Sequence, residues 1–120
     1  MGVRAVRGAI TVEEDRREAV LSATRRLLGE MLARNGLTPD DLISVILTAT
    51  GDLRSAFPAE AARQAGWTDV PLLDARELDV EAALPRCVRV LMHVQSDRPR
   101  SELRHVYLEG AAGLREDLSG

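Results

Sequence analysis

Apolar residues alternate most regularly over Arg86–Gln95, which follows Pro85 and is ended by Ser96-Asp97-Arg98-Pro99. Successive side chains of a strand point to opposite faces, so Val88, Val90, Met92 and Val94 share one wholly apolar face. Cys87, Arg89, Leu91 and His93 share the other. Val3–Ile10 reads as a first strand, with Arg7 on the face of Val3 and Ala5. Thr11-Val12-Glu13-Glu14 has the form of a capping box. It predicts a helix running through Val20, Ala23, Leu27, Leu28, Met31 and Leu32 and closing at Asn35-Gly36. Thr38-Pro39-Asp40-Asp41 opens a short second helix, and Leu42–Thr50 is a second strong strand broken by Gly51-Asp52. Phe57-Pro58 opens a short helix, Ala59 to Ala65, stopped by Gly66. Val70–Leu73 is a short strand, which Pro71 makes an edge or terminal piece. An acidic connector, Asp74–Asp79, precedes the Arg89 strand, and Arg104–Glu109 is the last strand. The order β-α-(short α)-β-(short α)-β-β-β predicts one α+β, or mixed α/β, domain over 1–120, whose tail from about 110 is expected to be mobile.

Arg89 raises the chemical question. An uncompensated guanidinium costs several kcal/mol at least to bury. Either this is an edge strand with a wet second face, or Arg89 points into a pocket holding an anion or a developing negative charge.

Composition narrows the answer. The chain has 120 residues and 45% hydrophobic content, yet Phe57, Trp67 and Tyr107 are its only aromatics. The core must therefore be aliphatic and thin, which favours oligomerisation. All 16 basic residues are arginine, so any ligand-recognising cation is a planar fork suited to carboxylates. With a net charge of −3 there is no broad field for nucleic acid. No signal peptide or membrane-length apolar run is present, so a soluble cytoplasmic protein is expected. The one cysteine, Cys87, lies within a strand, and neither His93 nor His105 has metal-ligand spacing. No glycine-rich phosphate loop follows a strand. The sequence thus points to no metal, no cofactor and no covalent nucleophile. It leaves Arg7, Arg63, Arg89, Arg115, Glu77, Phe57 and Tyr107, which spacing alone does not assemble into a site.

Four blocks taken in order do. They are Arg4-x-x-Arg7-Gly8-Ala9-x-Thr11-Val12-Glu13, Ala56-Phe57-Pro58-Ala59-x-Ala61-x-Arg63, Cys87-x-Arg89-Val90, and Arg104-His105-Val106-Tyr107-Leu108-Glu109 with Leu114-Arg115-x-Asp117-Leu118. Together they resemble the AroH class of chorismate mutases along nearly the whole chain. The resemblance implies a homotrimer with a pseudo-α/β barrel at its centre and active sites between neighbouring subunits. It implies the rearrangement of chorismate to prephenate, a pericyclic shift in aromatic amino acid biosynthesis that needs no cofactor, metal or nucleophile. By the same resemblance, Arg89 donates to the ether oxygen, Glu77 accepts from the ring hydroxyl and Arg7 binds a substrate carboxylate. Tyr107 holds the side-chain carboxylate, and Phe57, Leu73 and Leu114 wall the cleft. Arg63 and Arg115 close over it, with Phe57 and Arg63 coming from the neighbour.

Two positions depart from the pattern. Asp74 stands where some relatives carry cysteine, near the expected substrate hydroxyl, and there it could couple to Glu77 or pair with Arg76. Glu60 stands where relatives can carry lysine, which removes a positive charge from the rim. Two other classes remain open on the residues: a trimeric module sensing a small dicarboxylate without changing it, and an imine or enamine hydrolase on a similar barrel. Glu77 argues against the first, since anion capture gains nothing from a nearby carboxylate. The hydrolase must position a water that a rearrangement must exclude.

Overall fold

A computed structural model describes residues 2–114. Five strands form one mixed sheet in the order β3-β2-β4-β1-β5: β1 (Val3–Thr11), β2 (Leu42–Ala49), β3 (Leu72–Arg76), β4 (Cys87–Gln95) and β5 (Val106–Leu108). Antiparallel β1–β4 and β4–β2 pairs form the centre, and β5 and β3 add in parallel at the two edges. The long helix α1 (Arg17–Arg34) and the short helix α2 (Pro58–Gln64) are joined to the strands through 3₁₀ turns and loops. No helix among the described residues is long and apolar enough to cross a membrane.

The apolar face predicted for the Arg89 strand is buried as read: Val88, Val90, Met92 and Val94 are at most 3% exposed. With Val6, Ile10, Val45 and Leu47 they pack beneath α1, whose buried stripe is Val20, Leu21, Thr24, Leu27, Leu28 and Met31. The predicted stripe was turned slightly, for Ala23 and Leu32 are only half-buried. Thr24 is tolerated in the core because its hydroxyl donates to the Val20 carbonyl at 2.7 Å. Gly8 lets α1 approach β1, since a Cβ there would come within 2.5 Å of Met31 Sδ.

One open alternative is decided and two sequence expectations are corrected. Arg89 does not lie on an edge strand: β4 is central, hydrogen-bonded on both sides. The helix does not begin at Thr11, which is the last residue of β1. The Thr11 hydroxyl accepts the Gly110 N–H at 2.8 Å, and the Val12 N–H donates to the Arg86 carbonyl at 2.8 Å. These tertiary partners outcompete a local cap and delay the helix to Arg17. The edge strand starts after Pro71, whose missing N–H cannot join a ladder, and continues through Asp74-Ala75-Arg76 rather than stopping at Leu73.

Asn35 closes α1 as expected, with Gly36 at φ +61° beyond it. It also does more. Buried to 1% exposure, it donates through Nδ2 to the Met31 and Arg104 carbonyls at 2.8 and 2.9 Å. Its Oδ1 accepts the Arg104 N–H at 2.7 Å. The end of α1 is thereby fastened to the approach to β5. Asn35→Ala strands three backbone groups, one buried and two part-buried, and a lone unsatisfied buried group costs about 1–3 kcal/mol. We expect a loss of at least about 2 kcal/mol, read from urea midpoints at one fixed protein concentration; an unchanged midpoint would show that the clasp contributes nothing.

Candidate active site

Among the described residues neither α1 nor α2 packs on the second face of the sheet; only the 3₁₀ turn Glu109–Ala111 meets it, through Ala111. One cross-strand row on that face runs Ala75–Thr48–Arg89–Ala9–Tyr107, fixed by the four strand registers. The next row runs Leu73–Ile46–Leu91–Arg7. Strands lie about 4.8 Å apart, so Arg89 stands mid-sheet with Tyr107 two strands away. Ala9 lies between them, and its methyl leaves open the space that a larger side chain would fill. Arg7 joins from the neighbouring row. Glu77 arrives from just beyond β3, held by its N–H donating to the Ala49 carbonyl at 3.0 Å. The result is a cleft of about 370 Å³ lined by Arg7, Ala9, Thr48, Glu77, Arg89 and Tyr107, with Ile46 and Leu91 as apolar floor.

Two guanidiniums and one carboxylate leave this cleft positively charged overall, which suits an anion such as a carboxylate. Arg89 Nε lies 3.4 Å from Glu77 Oε1, within ion-pair distance. It is not aligned as a hydrogen bond there, and the buried Nε donor has no hydrogen-bond partner among the described residues. A buried, unmatched donor is rare in folded proteins and marks sites where a ligand atom is expected. Glu77 Oε2 accepts from the Thr48 hydroxyl. The Arg7 backbone N–H donates to His105 Nδ1 at 3.0 Å, which ties β1 to the approach to β5.

Cys87 begins β4 on the same side, fully buried with Ala9 and Ala111 and flanked by Leu84, Tyr107 and Leu114. Burial pushes its thiol up, and the nearby Arg89 charge offsets this only in part. It therefore stays protonated and serves as packing. No group of three or more His, Cys, Asp or Glu side chains that could hold a metal ion exists among the described residues.

The other sequence candidates fall elsewhere. Phe57, Pro58, Glu60 and Asp74 line a separate groove of about 740 Å³ along α2, which shares no residue with the Arg89 cleft. Phe57 stands 69% exposed at its lip. Asp74 pairs in register with Leu47, so it points to the helix side of the sheet, where its Oδ1 accepts the Ala59 N–H at 3.0 Å. Burial pushes its carboxyl up, while the Ala59 N–H and the Arg63 charge pull the other way. Of the two partners offered for Asp74, neither Glu77 nor Arg76 is taken: its carboxyl lies on the helix side of the sheet, against the Ala59 N–H and near the Arg63 charge. Glu60 is paired by both oxygens with Arg17, whose hydrogen bonds hold it below the usual carboxylate range against opposing desolvation. It is thus already neutralised. Arg63 is exposed on α2 and Leu73 is 60% exposed on β3. Leu114 packs half-buried against the Cys87 cluster, and Arg115 lies outside the described residues.

Thr48 escaped notice in the sequence. A threonine in a β-branched strand carries no signal, and only the β2–β4 register sets it against Arg89.

Known proteins share this arrangement of elements. The chain is 56% identical over 117 residues to the chorismate mutase AroH of Thermus thermophilus, covering 97% of this chain and 96% of that one. It is 45% identical over 120 residues to the chorismate mutase AroH of Bacillus subtilis (strain 168), covering 99% and 94%. A solved structure of a chorismate mutase from Clostridium thermocellum superposes with a TM-score of 0.89 at 47% identity, covering 90% of this chain and 96% of that one. The family model for chorismate mutase type I matches residues 3–118. With that match spanning nearly the whole sequence, the chain belongs to the type I chorismate mutase family.

Proposed function

We propose that the Arg89 cleft converts chorismate to prephenate by a [3,3] rearrangement, in the biosynthesis of aromatic amino acids. The carrying observation is the buried Arg89 Nε, a donor without a hydrogen bond on a residue that lines an anion-sized cleft with Arg7, Glu77 and Tyr107. In the rearrangement an ether C–O bond breaks while a C–C bond forms, and negative charge grows on the ether oxygen. A fixed guanidinium N–H aimed at that oxygen stabilises the transition state more than the ground state. Glu77 accepts from the ring hydroxyl and favours the slightly positive ring fragment. Arg7 and Tyr107 bind the carboxylates and hold the chair-like, near-attack shape.

The site is completed by a second subunit. Phe57, Arg63, Leu73 and Asp74 of one chain close over Arg7, Glu77 and Arg89 of another, with Leu114 at the edge. Two features support a trimer. Phe57 and the Arg89 cleft belong to separate grooves of one chain, and the face that carries Arg89 also carries Val3 and Leu73, which are 63% and 60% exposed. Exposed apolar side chains on a sheet face that no α-helix covers favour association. Three such sheets facing inward make the barrel.

Chorismate supplied as sole substrate should give prephenate, and its recovery unchanged would leave the dicarboxylate-sensing reading in place. No proton moves in this reaction, so the rate should be flat from about pH 6 to 9, without the two-sided bell of acid–base catalysis. It should also be nearly the same in heavy water. A large solvent isotope effect on kcat, after slow product release is excluded, would rule out a purely pericyclic step.

A further inference from the structure

Thr48 lies directly opposite Arg89 in the β2–β4 register, and its hydroxyl donates to Glu77 Oε2. The other oxygen of that carboxylate stands 3.4 Å from Arg89 Nε. A carboxylate beside a guanidinium ordinarily rotates into two parallel N–H···O bonds, the strongest pairing open to it. Here it does not, and the buried Nε is left without a hydrogen bond among the described residues. Glu77 is only 21% exposed, so water gives it little competing solvation.

We infer that Thr48 is a positioning residue: its hydroxyl anchors one Glu77 oxygen, stops the carboxylate from closing onto Arg89, and keeps the Arg89 Nε donor free for a ligand in the cleft that Arg89 lines. The inference rests on the reaction proposed above and deepens it. With the hydroxyl gone, Glu77 is free to turn about its last torsion and take Nε as partner. The donor meant for the breaking ether bond is then occupied in the free enzyme and must be released during turnover. The carboxylate-binding groups, Arg7 and Tyr107, are untouched.

Thr48→Val removes the hydroxyl at nearly constant shape, and Thr48→Ser restores it. Thr48→Val should lower kcat at least about tenfold, because a small misplacement of reacting groups is enough to do so. KM should stay within about twofold, as expected when an interaction made mainly in the transition state is lost. Thr48→Ser should recover most of kcat. In a Glu77→Gln background Thr48→Val should cause no further loss, since a residue acting through Glu77 has nothing left to position. Wild-type kcat in Thr48→Val, or an equal fold loss in both backgrounds, overturns the inference. A crystal structure of Thr48→Val reads the geometry without turnover: the Glu77 carboxylate should sit on Arg89 through both oxygens, and an unchanged separation overturns the inference. If wild type leaves chorismate unchanged while Thr48→Val shows the closed pair, the activity reading fails and the positioning role stands.

Discussion

Arg89→Lys is expected to lower kcat by at least about a hundredfold, the usual effect of losing one aimed donor to a developing oxyanion. The substitution keeps the charge and removes the geometry. In arginine, Nε sits inside the side chain, one carbon short of the terminal nitrogens, and here that nitrogen is the buried donor. Lysine has a methylene at that depth and places its single nitrogen further out as a hydrated point charge. The ether oxygen then meets a cation at the wrong distance and in a better-solvated setting, where Coulomb attraction is weaker. Stability should change far less. Arg89 is 38% exposed in its side chain, its neighbours in the row are small Ala9 and Thr48, and its one ion pair is not a hydrogen bond. Steady-state kinetics with chorismate, alongside a urea midpoint, separate the two effects. A variant with kcat within a few-fold of wild type would show that Arg89 contributes charge and no aimed bond.

What could be read in the sequence follows the range of the forces involved. Alternation along Cys87–Gln95 is local, so the buried face of β4 was legible residue by residue. So was the end of α1 at Asn35-Gly36, because a C-cap is set by backbone chemistry within one turn. The start of α1 was not. Thr11 through Glu14 has the form of a cap, but the Thr11 hydroxyl and the Val12 N–H are taken by Gly110 and Arg86, each more than 70 residues away. Strand register is equally non-local, and the cleft depends on it. Arg89 and Tyr107 could be placed on strands, yet that they share a row with Ala9 between them comes only from two ladders. The Asp74–Glu77 coupling failed for a related reason. Read as a connector, the two acids looked adjacent; Asp74 instead belongs to β3 and points to the helix side, while Glu77 lies beyond the end of that strand and lines the cleft.

Mixing two inactive variants should restore activity that neither has alone. Arg89→Lys cripples the donor cleft, while Phe57→Asp puts a carboxylate on the groove wall where a dianion must pass. Phe57 is 69% exposed, so the second substitution should not disturb folding. Within one chain the two positions line different grooves. If each active site takes Arg89 from one subunit and Phe57 from the next around a ring, an equal mixture re-assembled from unfolded chains contains some intact sites. A site is intact when its first subunit carries the Phe57 defect and the second carries the Arg89 defect. Random assembly of a cyclic trimer makes this true of about a quarter of all sites. Activity should therefore rise to about a quarter of wild type, a gain of roughly tenfold or more over the Arg89→Lys residual. KM should return to the wild-type value, because the restored sites are complete. If both residues served the same site from the same chain, every site in the mixture would carry one defect, and activity would stay at the average of the two residuals. That result, with a trimer demonstrated in the same sample by light scattering, would retain the assembly and remove the shared site.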